Sequence, residues 1–386
     1  MNIVIAVERF VGDQHGGGYR IAWDSAKALQ QRGHRVTLIA ESLSRELSSE
    51  VVDRVEVLRY PSQAHVRNRL RARRAALAQA LREHFSSIPP DLIIGHMPIQ
   101  FWGATDAFPQ CETAYVAHSS YADEVWVGTD RKTPLLFAKA IVAGLIERKV
   151  FRRADRIVAF SNFTRQLIRK RHRSRFGYKI KVTPAWTDST AFTLPSDKSA
   201  VKLAVGWSAD VPVLFTLRRL VPRMGLDRLI AAAIQLRNEG FEFQLRIAGD
   251  GPLRGALQEQ VERANASPYI HLMGGPTESD LRAYYAAADV FVIPTKALEC
   301  FGLIAVEAMS AGIPVLSTPV GALPEVVGGI EPRWLARDNS VAAIAELVRS
   351  YLRGALPTHD PQQLRAFATE NYGATALQRF CDLVLA

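Results

Sequence analysis

Two carboxylates at a fixed spacing are the first residues in this chain whose types could do chemistry. Glu299 and Glu307 have seven residues between them in the run Glu-Cys-Phe-Gly-Leu-Ile-Ala-Val-Glu. Residues 288–294, just before, form an apolar run ending at Pro294 and read as a buried strand. The residues after Gly302 are rich in Leu, Ala, Glu and Met, which favour helix. A strand therefore ends, a short loop carries Glu299, and a helix begins near Gly302-Leu303. The N-terminus of such a helix offers free N–H groups and the positive end of its dipole to an anion. Glu307, about one helical turn in, can still reach a ligand seated there. A solvated Glu299 and a merely capping Glu307 would satisfy the same spacing.

Three arginines, Arg218, Arg219 and Arg223, stand at a strand end and in the loop entering a helix. Guanidinium groups so placed suit a diphosphate, which they hold through paired hydrogen bonds; a charged surface loop would look alike. The next strand ends in Ala248-Gly249-Asp250-Gly251-Pro252, a tight turn into a further helix. Near the start, His15, Gly16, Gly17 and Gly18 precede Tyr19 and Arg20. Bare glycine backbone can approach a phosphate closely there, and Arg20 can neutralise it. The spacing is not that of a dinucleotide fingerprint, and no G-x-x-x-x-G-K-[ST] occurs, so NAD and ATP-hydrolysing chemistries lose support. His118 follows the strand at 113–117 and would point to the ligand-binding end of a parallel sheet, although a lone histidine is more often structural. No Asp-x-Asp, His-Glu-x-x-His or Cys/His cluster is present, so no metal site is expected.

The elements that must position these groups alternate in the manner of doubly wound α/β proteins. Strands are expected at 2–7, 36–40, 55–59, 92–95, 113–117, 156–160 and 180–183, with helices ending near Leu29 and spanning 66–85 and 135–153. Residues 184–212 lose periodicity and collect Pro, Ser, Thr and Asp, which reads as a linker region. A second series follows, with strands at 213–217, 243–248, 270–273, 288–294 and 315–317. Its helices fall at 226–238, 252–265 and 278–287, with a helical tail to Ala386. The expected organisation is two Rossmann-like domains, 1–195 and 196–360, with ligands at the carboxyl ends of the strands in a cleft between them. A last helical segment, 361–386, is expected to pack back toward the first domain.

Length agrees, because 386 residues exceed one comfortable core. Hydrophobic content of 48% and charged content of 22% belong to an ordinary globular chain. The three cysteines, Cys111, Cys300 and Cys381, form no C-x-x-C pair and fit a reducing compartment. With no signal-peptide pattern at residues 1–10, a cytoplasmic protein is expected. Charge is uneven: residues 1–195 hold 30 Lys and Arg against 18 Asp and Glu, whereas the rest hold 18 against 20. All of the excess positive charge of +10 therefore lies in the first half. Such asymmetry suits a phosphorylated partner or an anionic membrane. Two basic segments, 66–85 and 148–175, could lie on the inner face of a membrane, or simply solvate the outer face of core helices. Nothing supports nucleic-acid binding.

Taken together, these elements resemble the retaining, GT-B-fold glycosyltransferases of family four (glycosyl transferases group 1). The resemblance runs through Gly16-Gly17, Arg32-Gly33-His34 and Ala154-Asp-Arg-Ile-Val-Ala-Phe-Ser161 in the first half. In the second half it runs through Arg219-Leu-Val-Pro, Ala248-Gly-Asp-Gly-Pro, the Glu299–Glu307 stretch and Gly321-Ala-Leu-Pro-Glu-Val-Val. It implies a nucleotide diphosphate sugar as donor substrate, with neither cofactor nor metal. Glu307 would bind the ribose hydroxyls. Glu299, with backbone N–H groups around Phe301, Gly302 and Leu303, would hold the transferred sugar. Arg219 would grip the diphosphate and stabilise the departing nucleotide. Gly16 and Gly17 would approach the phosphates, Gly249 would line the donor site, and His118 would lie near the transferred sugar. Arg20 and Tyr121 fall on the acceptor side. One departure stands out: Met224 occupies the position of a lysine that usually follows the arginine. Arg218 or Arg223 is then expected to replace it on the diphosphate. The acceptor expected is a glycan, or a lipid-linked or phosphorylated saccharide. A nucleotide-sugar epimerase or hydrolase of the same fold, and a catalytically silent membrane scaffold, are the alternatives.

Overall fold

A computed structural model describes residues 1–13, 16–43, 47–63, 69–129 and 132–386. His15 of the glycine loop, and residues 66–68 at the start of the expected basic helix, lie outside the described residues. The chain divides into two compact units. The first comprises Met1–Val125, Pro134–Ala185 and Ala376–Ala386; the second comprises Trp126–Thr133 and Trp186–Thr375.

The first unit is built on eight strands: β1 (Asn2–Ala6), β2 (Arg35–Glu41), β3 (Ser48–Val52), β4 (Val55–Tyr60), β5 (Leu92–Gly95), β6 (Glu112–Ala117), β7 (Arg156–Ala159) and β8 (Ile180–Val182). They run in the order β3-β4-β2-β1-β5-β6-β7-β8. All neighbours are parallel except β3 and β4, which form an antiparallel edge hairpin. Its turn places Asp53 and Arg54 at φ of 47° and 65°. Short apolar runs such as Ile3–Ile5 and Leu92–Ile94 are buried on both faces, as parallel strands covered by helices must be.

The helices are α1 (Gly17–Gln31), α2 (Arg69–His84), α3 (Pro98–Ala107), α4 (Tyr121–Val127), α5 (Pro134–Arg153) and α6 (Asn162–Arg171). In α2 Leu77 and Leu81 are fully buried, and Arg73 and Arg74 are engaged within the unit. Arg73 Nε lies 2.9 Å from buried Glu41, and Arg74 pairs with Asp106 at 2.8 Å while stacking on the Trp102 ring.

The second unit carries α7 (Lys198–Ala204), β9 (Val213–Leu217), α8 (Leu226–Asn238), β10 (Gln244–Ala248), α9 (Arg254–Arg263), β11 (Ile270–Gly274), α10 (Glu278–Ala287), β12 (Val290–Ile293), α11 (Leu303–Ser310), β13 (Val315–Ser317), α12 (Leu323–Val326), α13 (Val341–Leu352) and α14 (Pro361–Tyr372). Helix α7 falls inside the stretch that reads as a linker; Asp197 caps it by accepting the Ala200 N–H. The five-stranded parallel sheet runs β11-β10-β9-β12-β13. Its core holds Phe215, Tyr285 and Phe291, whose ring centroids lie 5.4–5.6 Å apart. The strand order reverses direction between β9 and β12, and between β1 and β5 in the first sheet. Those are the switch points at which open α/β sheets bind ligands.

The last helix, α15 (Ala374–Leu385), contributes buried Phe380, Cys381 and Val384. From Ala376 on it belongs to the first unit, where Arg156 Nη1 donates to the Val384 carbonyl at 2.6 Å and Arg32 pairs with Asp382 at 2.7 Å.

Candidate functional site

In the second unit the loops after β9 and β12 meet at the switch point. Arg218, the first residue past β9, is buried, and its Nη2 lies 2.5 Å from Glu299 Oε2. The same nitrogen donates to the hydroxyl of buried Thr295, which in turn donates to Glu299 Oε2 at 3.3 Å. One carboxylate oxygen is thus pinned, while no hydrogen bond among the described residues uses Oε1. The loop reaches this arrangement through backbone strain. Leu298, immediately before Glu299, sits at φ 58°, a left-handed conformation that disfavours a leucine and persists only where its surroundings enforce it. Arg223 is part of that enforcement, since its Nη1 donates to the Leu298 carbonyl at 2.8 Å. Behind the loop, Ala322 N donates to the Glu299 carbonyl at 2.8 Å. Gly321, at φ 67°, comes so close that a Cβ there would stand 2.0 Å from the same oxygen.

The three arginines therefore divide. Arg218 holds Glu299 and Arg223 holds Leu298. Arg219 is exposed and has no side-chain partner among the described residues. Met224 is buried, so the side chain at the expected lysine position packs inward. The turn at Gly249 supports the arginine loop from below. Arg218 N donates to the Ala248 carbonyl at 3.0 Å, and Leu220 N to the Asp250 carbonyl at 2.9 Å. Gly249 itself is at φ 122°, where a Cβ would meet the Arg218 carbonyl at 1.9 Å.

Helix α11 starts at Gly302, in the left-handed region as its N-cap, with no side-chain cap on its first N–H groups. Phe301 is buried edge-on against Tyr372 at 5.6 Å. Glu307 lies half-buried one turn along, and Tyr285 Oη donates to its Oε2 at 2.9 Å. Thr295 and Tyr285 are positioning groups that the sequence reading passed over. Thr295 was legible as the polar residue directly after the Val-Ile-Pro strand end; nothing in the sequence distinguishes Tyr285 from neighbouring Tyr284.

In the first unit His118 lies at the carboxyl end of β6, and His96 at that of β5. His96 Nδ1 and His118 Nε2 are 3.0 Å apart. His96 is buried, and its Nε2 has no hydrogen-bond partner among the described residues. Burial lowers the His118 pKa to about 4, and burial together with the neighbouring His118 holds His96 well below the usual imidazole range. Both rings are therefore neutral at physiological pH, one donating to the other. A side chain on Gly18, at the start of α1, would come within 3.7 Å of the His118 ring. Gly16 and Gly17 are exposed, and Gly16 accepts from Tyr19 N and Arg20 N. Arg20 is half-buried. Tyr121 N donates to buried Glu147 at 2.8 Å, and burial raises the phenol pKa. His96 was missed, although like His118 it is a histidine directly after a short apolar strand. A cavity of about 430 Å³ at the amino ends of β6 and β7, lined by Cys111, Thr113 and Arg153 among others, includes none of these residues.

Two parallel α/β sheets, each with polar side chains gathered at its switch point, define the class of the GT-B glycosyltransferases. Sequence comparison agrees over most of the chain. The model of Glycosyl transferases group 1 matches residues 198–370, and that of Glycosyltransferase Family 4 matches residues 15–189. The chain belongs to this family. The GDP-mannose-dependent alpha-(1-6)-phosphatidylinositol monomannoside mannosyltransferase of Mycobacterium tuberculosis is 26% identical over 257 residues, 60% of this chain and 66% of that protein. The protein of the same name from Mycolicibacterium smegmatis is 31% identical over 194 residues, 48% of this chain and 50% of that one. The chain thus spans between half and two thirds of these curated relatives. Among solved structures, sucrose-phosphate synthase from Thermosynechococcus elongatus matches with a TM-score of 0.82 at 19% identity, over 99% of this chain and 98% of that one. Anabaena HepE in complex with UDP-glucose matches with a TM-score of 0.76 at 18% identity, over 100% and 99%. At such identities the likeness shows the fold.

Proposed function

We propose that the chain moves a hexosyl group from a nucleotide diphosphate sugar to a saccharide, lipid-linked or phosphorylated acceptor, with retention of configuration and without a metal ion. The observation that carries this reading is the pinned carboxylate of Glu299 in the loop after β12 together with the exposed guanidinium of Arg219 in the loop after β9, which has no side-chain partner among the described residues. A carboxylate fixed through one oxygen is preorganised to accept sugar hydroxyls through the other. A free guanidinium suits the charge that develops on the nucleotide as the glycosidic bond breaks. The uncapped N–H groups of α11 favour the same diphosphate. Glu307, oriented by Tyr285, has the chemistry to accept both ribose hydroxyls. In the first unit His118 is a neutral hydrogen-bonding group, which fits a sugar hydroxyl better than a phosphate.

The names of the mycobacterial relatives make GDP-mannose the first donor to try, and the HepE complex makes UDP-glucose the second. The test is a panel of labelled GDP-, UDP- and ADP-sugars with and without lipid-linked acceptors. Transfer that consumes donor only when acceptor is present supports the reading. Donor epimerised or hydrolysed at full rate without acceptor, or no binding to any donor, overturns it. Retention is read from the anomeric proton couplings of the product.

A further inference from the structure

The contact between His96 and His118 fixes more than a ring position. Because His96 Nδ1 faces His118 Nε2 at 3.0 Å, the protons of the two neutral rings are coupled. If His96 donates, both rings carry their proton on Nδ1; if His118 donates, both carry it on Nε2. The surroundings choose between these arrangements. His96 is buried just past β5, its Nε2 has no hydrogen-bond partner among the described residues, and the Phe380 ring of α15 stands 6.4 Å from it between centroids. A proton on that Nε2 would be a buried N–H without an acceptor, the rarer kind of orphan. On the far side, His118 faces the first turn of α1, where a Cβ on Gly18 would lie 3.8 Å from His118 Nδ1. That Nδ1 has no hydrogen-bond partner among the described residues. Helix α1 has no side-chain cap at Gly16, so its end offers N–H groups and the positive end of the dipole to a ligand. An N–H on His118 Nδ1 adds a donor beside them, whereas a bare nitrogen there would repel the same ligand oxygen.

We infer that His96 is a positioning residue that donates from Nδ1 to His118 Nε2 and so commits His118 to present its Nδ1–H to an oxygen of the substrate. A neutral imidazole beside a helix N-terminus polarises an oxygen without bringing a full charge, which suits a hydroxyl. That this hydroxyl belongs to a sugar rests on the sugar-transfer reading; the arrangement of protons does not. The backbone around His118 is held separately. Tyr121 N donates to buried Glu147 at 2.8 Å, and His172 Nε2 lies 2.9 Å from the same carboxylate. Loss of His96 therefore releases the His118 ring while its loop stays anchored.

The experiment is long-range proton–nitrogen correlation spectroscopy of the imidazole rings at neutral pH, on the full chain without donor. Both rings are expected to carry the proton on Nδ1, and in His96→Leu the His118 ring should lose that preference. With the donor that the chain turns over, His96→Leu should lower kcat/KM about tenfold, the scale of one hydrogen bond. His96→Asn, whose amide can donate from the place of Nδ1, should recover activity to within about threefold of the parent. In a His118→Ala background His96→Leu should cost nothing further, because its effect runs through that ring. A proton on Nε2 of either ring overturns the inference, as do effects of the two substitutions that simply add. Absence of turnover with every donor refutes the sugar-transfer reading, and the spectra decide this inference regardless.

Discussion

Arg218 and Glu299, 81 residues apart in the chain, form an ion pair of 2.5 Å in which the arginine side chain is 5% exposed and the glutamate 14%. A pair so far out of water is expensive to break from one side, because the remaining charge keeps its burial and loses its partner. Glu299→Ala should therefore lower unfolding free energy by about 3 kcal/mol as well as weaken donor binding. Denaturant unfolding with the slope held constant checks it; a variant as stable as the parent would show that Glu299 does not support Arg218.

The neighbouring arginine should behave in the opposite way. The Arg219 side chain is exposed and has no partner among the described residues, so Arg219→Ala should change stability by no more than about 0.5 kcal/mol. Its effect should fall on kcat, by roughly 10²- to 10³-fold, the usual cost of removing one stabiliser of developing charge. If instead KM rises with kcat intact, Arg219 binds donor without acting on its departure.

Gly249→Ala tests how the arginine loop is held. The new methyl group would stand 1.9 Å from the Arg218 carbonyl at a backbone φ of 122°, so the loop must move. Destabilisation of about 2–4 kcal/mol is expected, accompanied by loss of turnover, because Arg218 and Arg219 travel with that backbone. A stable but inactive variant would instead point to a direct ligand contact at Gly249.

Tyr285→Phe removes the hydroxyl that donates to Glu307 and leaves the ring's packing against Phe215 and Phe291 in place. Losing one such hydrogen bond should raise the donor KM about fivefold, with kcat little changed if Glu307 serves binding alone. A matching fall in kcat would place Glu307 in the reacting part of the site.

Much of this architecture was legible in the sequence because parallel strands buried on both faces leave short apolar runs. Val213–Leu217 and Val315–Ser317 were read to the residue. The hairpin strand β3 was not, since Ser-Ser-Glu-Val-Val is mostly exposed and its Asp53-Arg54 turn adopts left-handed φ values without a glycine to announce them. Helix α7 was hidden in a polar, proline-bearing stretch that reads as linker. At the site, residue types and their placement at strand ends were readable, but pairing was not. No spacing rule connects Arg218 to Glu299, or Tyr285 to Glu307, because those contacts are made by the crossing of separate βα loops. For the same reason the sequence assigned all three arginines to one diphosphate, whereas two of them serve the loop that carries Glu299.

The His96–His118 contact makes a prediction about pH. In the unfolded chain each imidazole titrates near 6.5, whereas in the fold burial lowers His118 to about 4 and, with the neighbouring His118, holds His96 well below the usual imidazole range. Between those limits the unfolded state binds protons that the native state refuses, so stability rises with pH from about 4 and is complete above about 6.5. His96→Gln removes one such group. Across pH 4.5–6 the parent's stability should therefore climb more steeply than the variant's, the difference approaching one proton, or about 1.4 kcal/mol per pH unit. Chemical denaturation at a series of pH values measures both slopes, and equal slopes would mean that His96 is charged or solvated in the native state. Turnover supplies an independent reading: with His118 neutral throughout, kcat should show no inflection near pH 6.5 arising from this residue.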